Sequence, residues 1–172
     1  MPSMRELMSL TEGQIPYDPN MGKLADLVAE WIEIDPFYSV GYASAKKRIA
    51  TQIIGLTDLA MKFKAVPVDT LWRAYGLNGK SRKLLFSESG LTITPRPSDM
   101  LASWTMDSDY AYDHASQYED AILIRYPTNK LNIFMNLDAF SKSVGGLQSI
   151  ESEILVKPQT ITITRHDIEQ PD

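Results

Sequence analysis

Apolar residues recur at helical spacing near the start of the chain. Between residues 21 and 34, Leu24, Leu27, Val28, Trp31 and Ile32 fall on one face, which predicts an amphipathic helix. Asp35-Pro36 breaks the pattern. From residue 41 to 65 the period returns in Ile49, Ile53, Leu56, Leu59 and Ala60, predicting one longer helix with Lys46, Lys47 and Arg48 on a solvated face. Residues 1–64 are therefore expected to form a helical lobe.

Beyond residue 65 the pattern shortens to runs of strand length separated by turn residues. Segments 69–76, 101–107, 120–127 and 130–137 read as strands, as do the two runs on either side of Pro158. The segment 83–99 mixes strand-like pieces with turn signals. Asp107 and Ser108 supply cap residues for a short helix with Ala111 and Ala115 on one face. Residues 80–83 and 141–150 read as loops. Helices first and strands afterwards argue for an α+β fold, with residues 65–172 forming a β-rich core and the 172 residues a single domain.

Composition narrows the chemistry. The chain has no cysteine, which excludes disulfides, thiolate metal sites and a cysteine nucleophile. The two histidines, His114 and His166, lie far apart with no metal-ligand spacing, so no metal is expected. Asp107, Asp109 and Asp113 fit helix capping better than a calcium loop, which would need a glycine and a terminal glutamate in register. A net charge of −5 gives no general basic footprint for nucleic acid, although Lys80, Arg82 and Lys83 form a local cluster. No apolar run is long enough to span a membrane, and the first ten residues lack a secretory signal pattern, so a cytoplasmic monomer is expected. No glycine-rich strand-to-helix fingerprint for nucleotides is present.

Three strand-like segments carry polar residues that a plain core does not want. Arg73 stands among Leu71, Trp72 and Tyr75; Ser103 and Thr105 share one face of a short strand; Glu151 and Glu153 head an otherwise apolar strand. On a strand, residues two apart face the same way, so the two glutamates are expected side by side, where like charges repel. A buried arginine also needs an anionic partner, and an Arg73–Glu153 ion pair is the purely structural solution.

Arginine strand, Ser-x-Thr strand and Glu-x-Glu strand, in this order and spacing, resemble the mono-ADP-ribosyltransferases of the Arg-Ser-Glu class, which include bacterial toxins and small bacteriophage enzymes. The resemblance covers about residues 65 to 165 and rests on "LWRAYG", "SWT" and "GLQSIESEILVKPQTITIT". It implies a helical amino-terminal lobe followed by a mixed or antiparallel β-sandwich core of the ADP-ribosyltransferase type. It further implies NAD as substrate, cleaved at the nicotinamide–ribose bond, with ADP-ribose passed to an acceptor. By the same resemblance Glu153 stabilises the ribosyl cation, Arg73 contacts the NAD phosphates and Ser103 holds the glutamate. Ala74 offers its backbone to the nicotinamide amide, and Thr105 retains a hydroxyl. Tyr75, Trp104 and Tyr110 are candidates for stacking on nicotinamide, with core packing expected for at least two of them. Glu151 points to an arginine acceptor on a host or target protein, since glutamate at that place goes with arginine in this family. Two departures stand out: Ala74 replaces the usual glycine, and Trp104 and Thr105 replace the commoner Thr and Ser. The alternatives are transfer to RNA or DNA, NAD hydrolysis, and a non-catalytic α+β binding module.

Overall fold

The computed structural model describes residues 18–34, 41–96, 99–145 and 152–169. Helix α1 (Met21–Glu33) buries Leu24, Leu27, Val28 and Trp31, the stripe its spacing predicts. The expected long second helix is broken. Helix α2 (Tyr42–Ile54) stops at Gly55, and a short α3 (Thr57–Ala60) and a 3₁₀ turn (Met61–Phe63) follow. Gly55 keeps right-handed helical angles, and the break falls at Leu56, which takes a non-helical φ of −110° and ψ of 33°. The apolar period survives the break because Leu59, Ala60 and Phe63 enter the same core as Ile49 and Ile53.

Strand β1 (Thr70–Gly76) is followed by helix α4 (Gly79–Leu85), where a loop was expected. Asn78 starts it by accepting a hydrogen bond from the Ser81 N–H. Then come β2 (Leu91–Ile93), β3 (Ala102–Thr105), α5 (Ser108–Ala115), β4 (Ala121–Pro127) and β5 (Ile133–Asn136). Helix α6 (Leu137–Val144) takes up residues 141–144, which had read as loop. Its start is capped by Asn136, whose side chain accepts from Ala139 N–H. The chain ends with β6 (Glu153–Val156), β7 (Ile161–Ile163) and β8 (Ile168–Glu169).

Six strands form one antiparallel sheet in the order β5-β6-β3-β1-β4-β8, and β2 pairs with β7 in a small second sheet. The fold is therefore mixed α+β, with six α-helices and a six-stranded antiparallel sheet among the described residues. Side-chain alternation along β6 separates the two cores. Leu155 joins Met135, Phe134 and Phe140 under α1 and α2, whereas Ile154 and Val156 join Leu71, Trp104 and Ile124 against the β2–β7 sheet. No helix among the described residues is long and apolar enough to cross a membrane.

The sheet is weakest at its middle. Strands β1 and β4 are in register over seven positions, but β1 and β3 share one, Trp72 opposite Thr105. Beyond that point Ala74 and Ser103 border a gap rather than a continuous ladder, and this gap positions the site.

Candidate active site

Register decides which side chains meet. Thr105 lies opposite both Trp72 on β1 and Glu153 on β6, so Trp72, Ala74, Ser103, Thr105 and Glu153 share the face that looks toward the helical lobe. Small residues at Ala74 and Ser103 keep this part of the face low, and a cavity of about 300 Å³ opens above it. Its floor is Ala74, Ser103, Thr105 and Glu153. One rim is α5 and the turn after it, with Tyr110 and His114 on the helix and Tyr118 in the turn; the other is the helical lobe, with Trp31, Tyr42 and Lys46.

Glu153 is 3% exposed, the first residue of β6. Its Oε2 accepts two hydrogen bonds, from Ser103 Oγ at 2.7 Å and from the indole Nε1–H of Trp31 at 2.6 Å. These short distances suit hydrogen bonds to a charged oxygen. Trp31 is held in turn by Lys46, whose Nζ donates to the Trp31 carbonyl at 3.1 Å and lies 3.5 Å from the centre of its ring.

Arg73 points to the opposite face from Glu153, so the purely structural ion pair between them is not how the arginine is accommodated. Its Nη1 reaches the carbonyl oxygen of Ser103 at 3.5 Å, the outer limit of a hydrogen bond. Burial lowers the pKa of the guanidinium, and the opposing pull comes first from Asp99, which is itself bound to Arg96. Asp99 is held below its ordinary value: desolvation would raise it, and the hydrogen bonds and charge of Arg96 outweigh that. Arg73 is half-buried, and a partly desolvated guanidinium with no carboxylate hydrogen-bonded to it among the described residues adds little to stability alone.

Arg73, Ala74 and Trp104 also line a second cavity, of about 420 Å³, on the other side of the sheet. Its polar lining includes Arg96, Asp99, Lys157 and Gln159. Arg73, Ala74 and Trp104 thus border both cavities, one on each side of the sheet near the single β1–β3 pairing.

The aromatic candidates separate by face. Tyr110 borders the Glu153 cavity and stacks on His114, with ring centres 6.2 Å apart and planes at 11°. Tyr75 lies with Arg73 in the second cavity. Trp104 borders both cavities but is 4% exposed and packs against Tyr126 in the core.

No family of known proteins, no curated protein and no solved structure matches this chain. The site therefore stands on its own geometry.

Glu151 lies outside the described residues, as do residues 146–150. The expected side-by-side placement of Glu151 and Glu153 therefore lies outside the described residues; within them, β6 begins at Glu153 and Ser152 takes a φ of 45°. That left-handed conformation is uncommon for a non-glycine residue. Ser152 is fixed there by its carbonyl, which accepts from Met106 N–H at 3.1 Å.

Sequence reasoning missed the contribution of the helical lobe. Trp31 had been read as one residue of an apolar stripe, and Lys46 as part of a solvated face, yet Lys46 is half-buried against Trp31. One signal was available: a buried indole N–H needs an acceptor, and the rest of the α1 stripe offers none. Among the described residues no three His, Asp or Glu side chains are grouped so as to hold a metal ion.

Proposed function

We propose that this protein transfers ADP-ribose from NAD to an acceptor, with release of nicotinamide. What supports the reading is a single convergence: Arg73, Ser103 and Glu153, from three different strands, border one gap in the sheet, with Ser103 bound to Glu153 at 2.7 Å. These are the three residues that the sequence resemblance singles out.

The cavities suit a substrate with two halves joined by a diphosphate. The nicotinamide ribose would lie over Glu153, the diphosphate at Arg73, and the adenosine half in the cavity bordered by Tyr75 and Arg96. Each cavity falls within or close to the lower range for small-molecule sites, roughly 300–1,000 Å³. A guanidinium matches paired phosphate oxygens, and binding them would supply the anion that Arg73 lacks as a hydrogen-bonded partner.

Cleavage breaks the bond between ribose C1′ and the nicotinamide nitrogen, and the bonding electrons leave with nicotinamide. Positive charge then develops on the ribose, as in glycoside hydrolysis. The Glu153 carboxylate, oriented in advance by two donors, would stabilise that charge without having to reorganise. An acceptor nucleophile bonds to C1′ and gives up its proton. Under this reading the acceptor is a protein arginine and Glu151 takes the proton. Under the same reading the nicotinamide amide would approach the backbone at Ala74, which borders both cavities, and its methyl would add a modest steric cost.

The test is transfer of label from NAD carrying a tagged adenosine to components of a cell lysate. Tagged material that survives nuclease and is lost to protease supports the protein acceptor. Material lost to nuclease would move the acceptor to RNA or DNA. Tag that never becomes macromolecular, with nicotinamide still released, would reduce the activity to NAD hydrolysis.

A further inference from the structure

The catalytic carboxylate is gripped from outside the β-core. Trp31 belongs to α1, 122 positions before Glu153, and its indole N–H lies 2.6 Å from Oε2, the oxygen that Ser103 also binds. A carboxylate oxygen has two lone pairs, and here one donor comes from the sheet and one from the helical lobe. The last side-chain torsion of a glutamate is otherwise broad, so two donors on one oxygen remove a freedom that a single serine would leave.

Trp31 is itself fixed on both sides. Its residue is 4% exposed in the core, and Lys46 on α2 caps its ring and its carbonyl. An ammonium against the ring face draws electron density from the indole, which makes the N–H a stronger donor. The chain of contacts runs from the Lys46 ammonium through the Trp31 indole to the Glu153 carboxylate.

We propose that Trp31, backed by Lys46, is a positioning residue that fixes the Glu153 carboxylate for catalysis, making the helical lobe a working part of the site. The catalytic consequence rests on the ribosyl-transfer reading; the contact does not.

The test uses the full chain and two readouts. The indole N–H signal of Trp31, one of three tryptophans, is assigned by its loss in Trp31→Phe. It is expected far downfield in the wild type and shifted upfield in Glu153→Met. An indole signal that does not respond to Glu153→Met overturns the proposal, and this measurement does not depend on Trp31→Phe folding well. Nicotinamide release is then measured against NAD concentration. Trp31→Phe is expected to lower kcat about tenfold or more, the scale of one charged hydrogen bond, with KM changed less than about twofold. Lys46→Met, which leaves Trp31 in place, is expected to lower kcat by a smaller factor. A rise in KM at unchanged kcat for both variants also overturns the proposal. If the wild type releases no nicotinamide while the indole signal does respond, the ribosyl-transfer reading fails and Trp31 stands as the holder of a carboxylate with some other task.

Discussion

Replacing Ser103 by alanine removes one hydroxyl and nothing else from the site. The backbone carbonyl that receives Arg73 stays, and so does the pairing of β3 with β6. The lost bond is a 2.7 Å hydrogen bond to a carboxylate on a residue 3% exposed. Bonds of that kind contribute about 1.5–3 kcal/mol. Trp31 still donates to the same oxygen, so the carboxylate is not orphaned and the lower part of that range, about 1.5–2 kcal/mol, is expected. For a chain of this size each kcal/mol lowers Tm by roughly 2–4 °C, giving a fall of about 3–8 °C. The assay is thermal unfolding of the wild type, Ser103→Ala, Glu153→Met and the double variant. If hydroxyl and carboxylate interact as described, the double variant is less destabilised than the sum of the singles by about 1 kcal/mol. Additivity within about 0.3 kcal/mol would mean that the two groups do not interact in solution, and the geometry of the site would be wrong.

Other outcomes follow from the same structure. Arg73→Met removes a desolvated cation that has no hydrogen-bonded carboxylate, so Tm should stay level or rise while NAD affinity by calorimetry falls at least about tenfold; a Tm well below wild type would refute that assignment. Gly90→Ala would put a Cβ 2.5 Å from the Ile163 carbonyl at a φ of +76°, where β2 meets β7, and should cost about 2 kcal/mol or more in denaturant unfolding; a loss under about 0.5 kcal/mol would contradict the packing. The lowered pKa of Asp99 means that its contribution is fully present above the ordinary carboxylate value and disappears as pH falls through the lowered one. Asp99→Asn should therefore flatten the acid limb of stability against pH, by under about 1 kcal/mol because the Arg96 pair is largely exposed.

How much of this was legible in the sequence depended on distance along the chain. The α1 stripe, the Ala111–Ala115 face and the strands around Arg73, Ser103 and Ile122 follow from short-range periodicity, and those elements form where expected. Local stops were harder. Gly55 ends α2 although the apolar period continues past it, because α3 and the 3₁₀ turn carry Leu59 and Phe63 into the same core. Asn78 and Asn136 cap helices over segments whose Ser and Lys content had suggested loops. In the site, the sharing of one face by Ser103, Thr105 and Glu153 needs strand register, which alternation and motif order anticipate. The grip of Trp31 on Glu153 spans 122 positions and no period encodes it. The side-by-side placement of Glu151 and Glu153 falls outside the described residues, and the positive φ of Ser152 was not readable from a serine.

The most direct measurement is nicotinamide release from NAD in lysate by the wild type and by Glu153→Gln, with NAD binding by both followed calorimetrically. Glutamine keeps the size of the side chain and an oxygen for Ser103 and Trp31 while removing the charge. The account predicts NAD affinity within a few-fold and a fall in rate of at least about a hundredfold, in line with the loss of a group that stabilises transition-state charge. Equal rates in the two proteins, or no NAD binding by either, would contradict it.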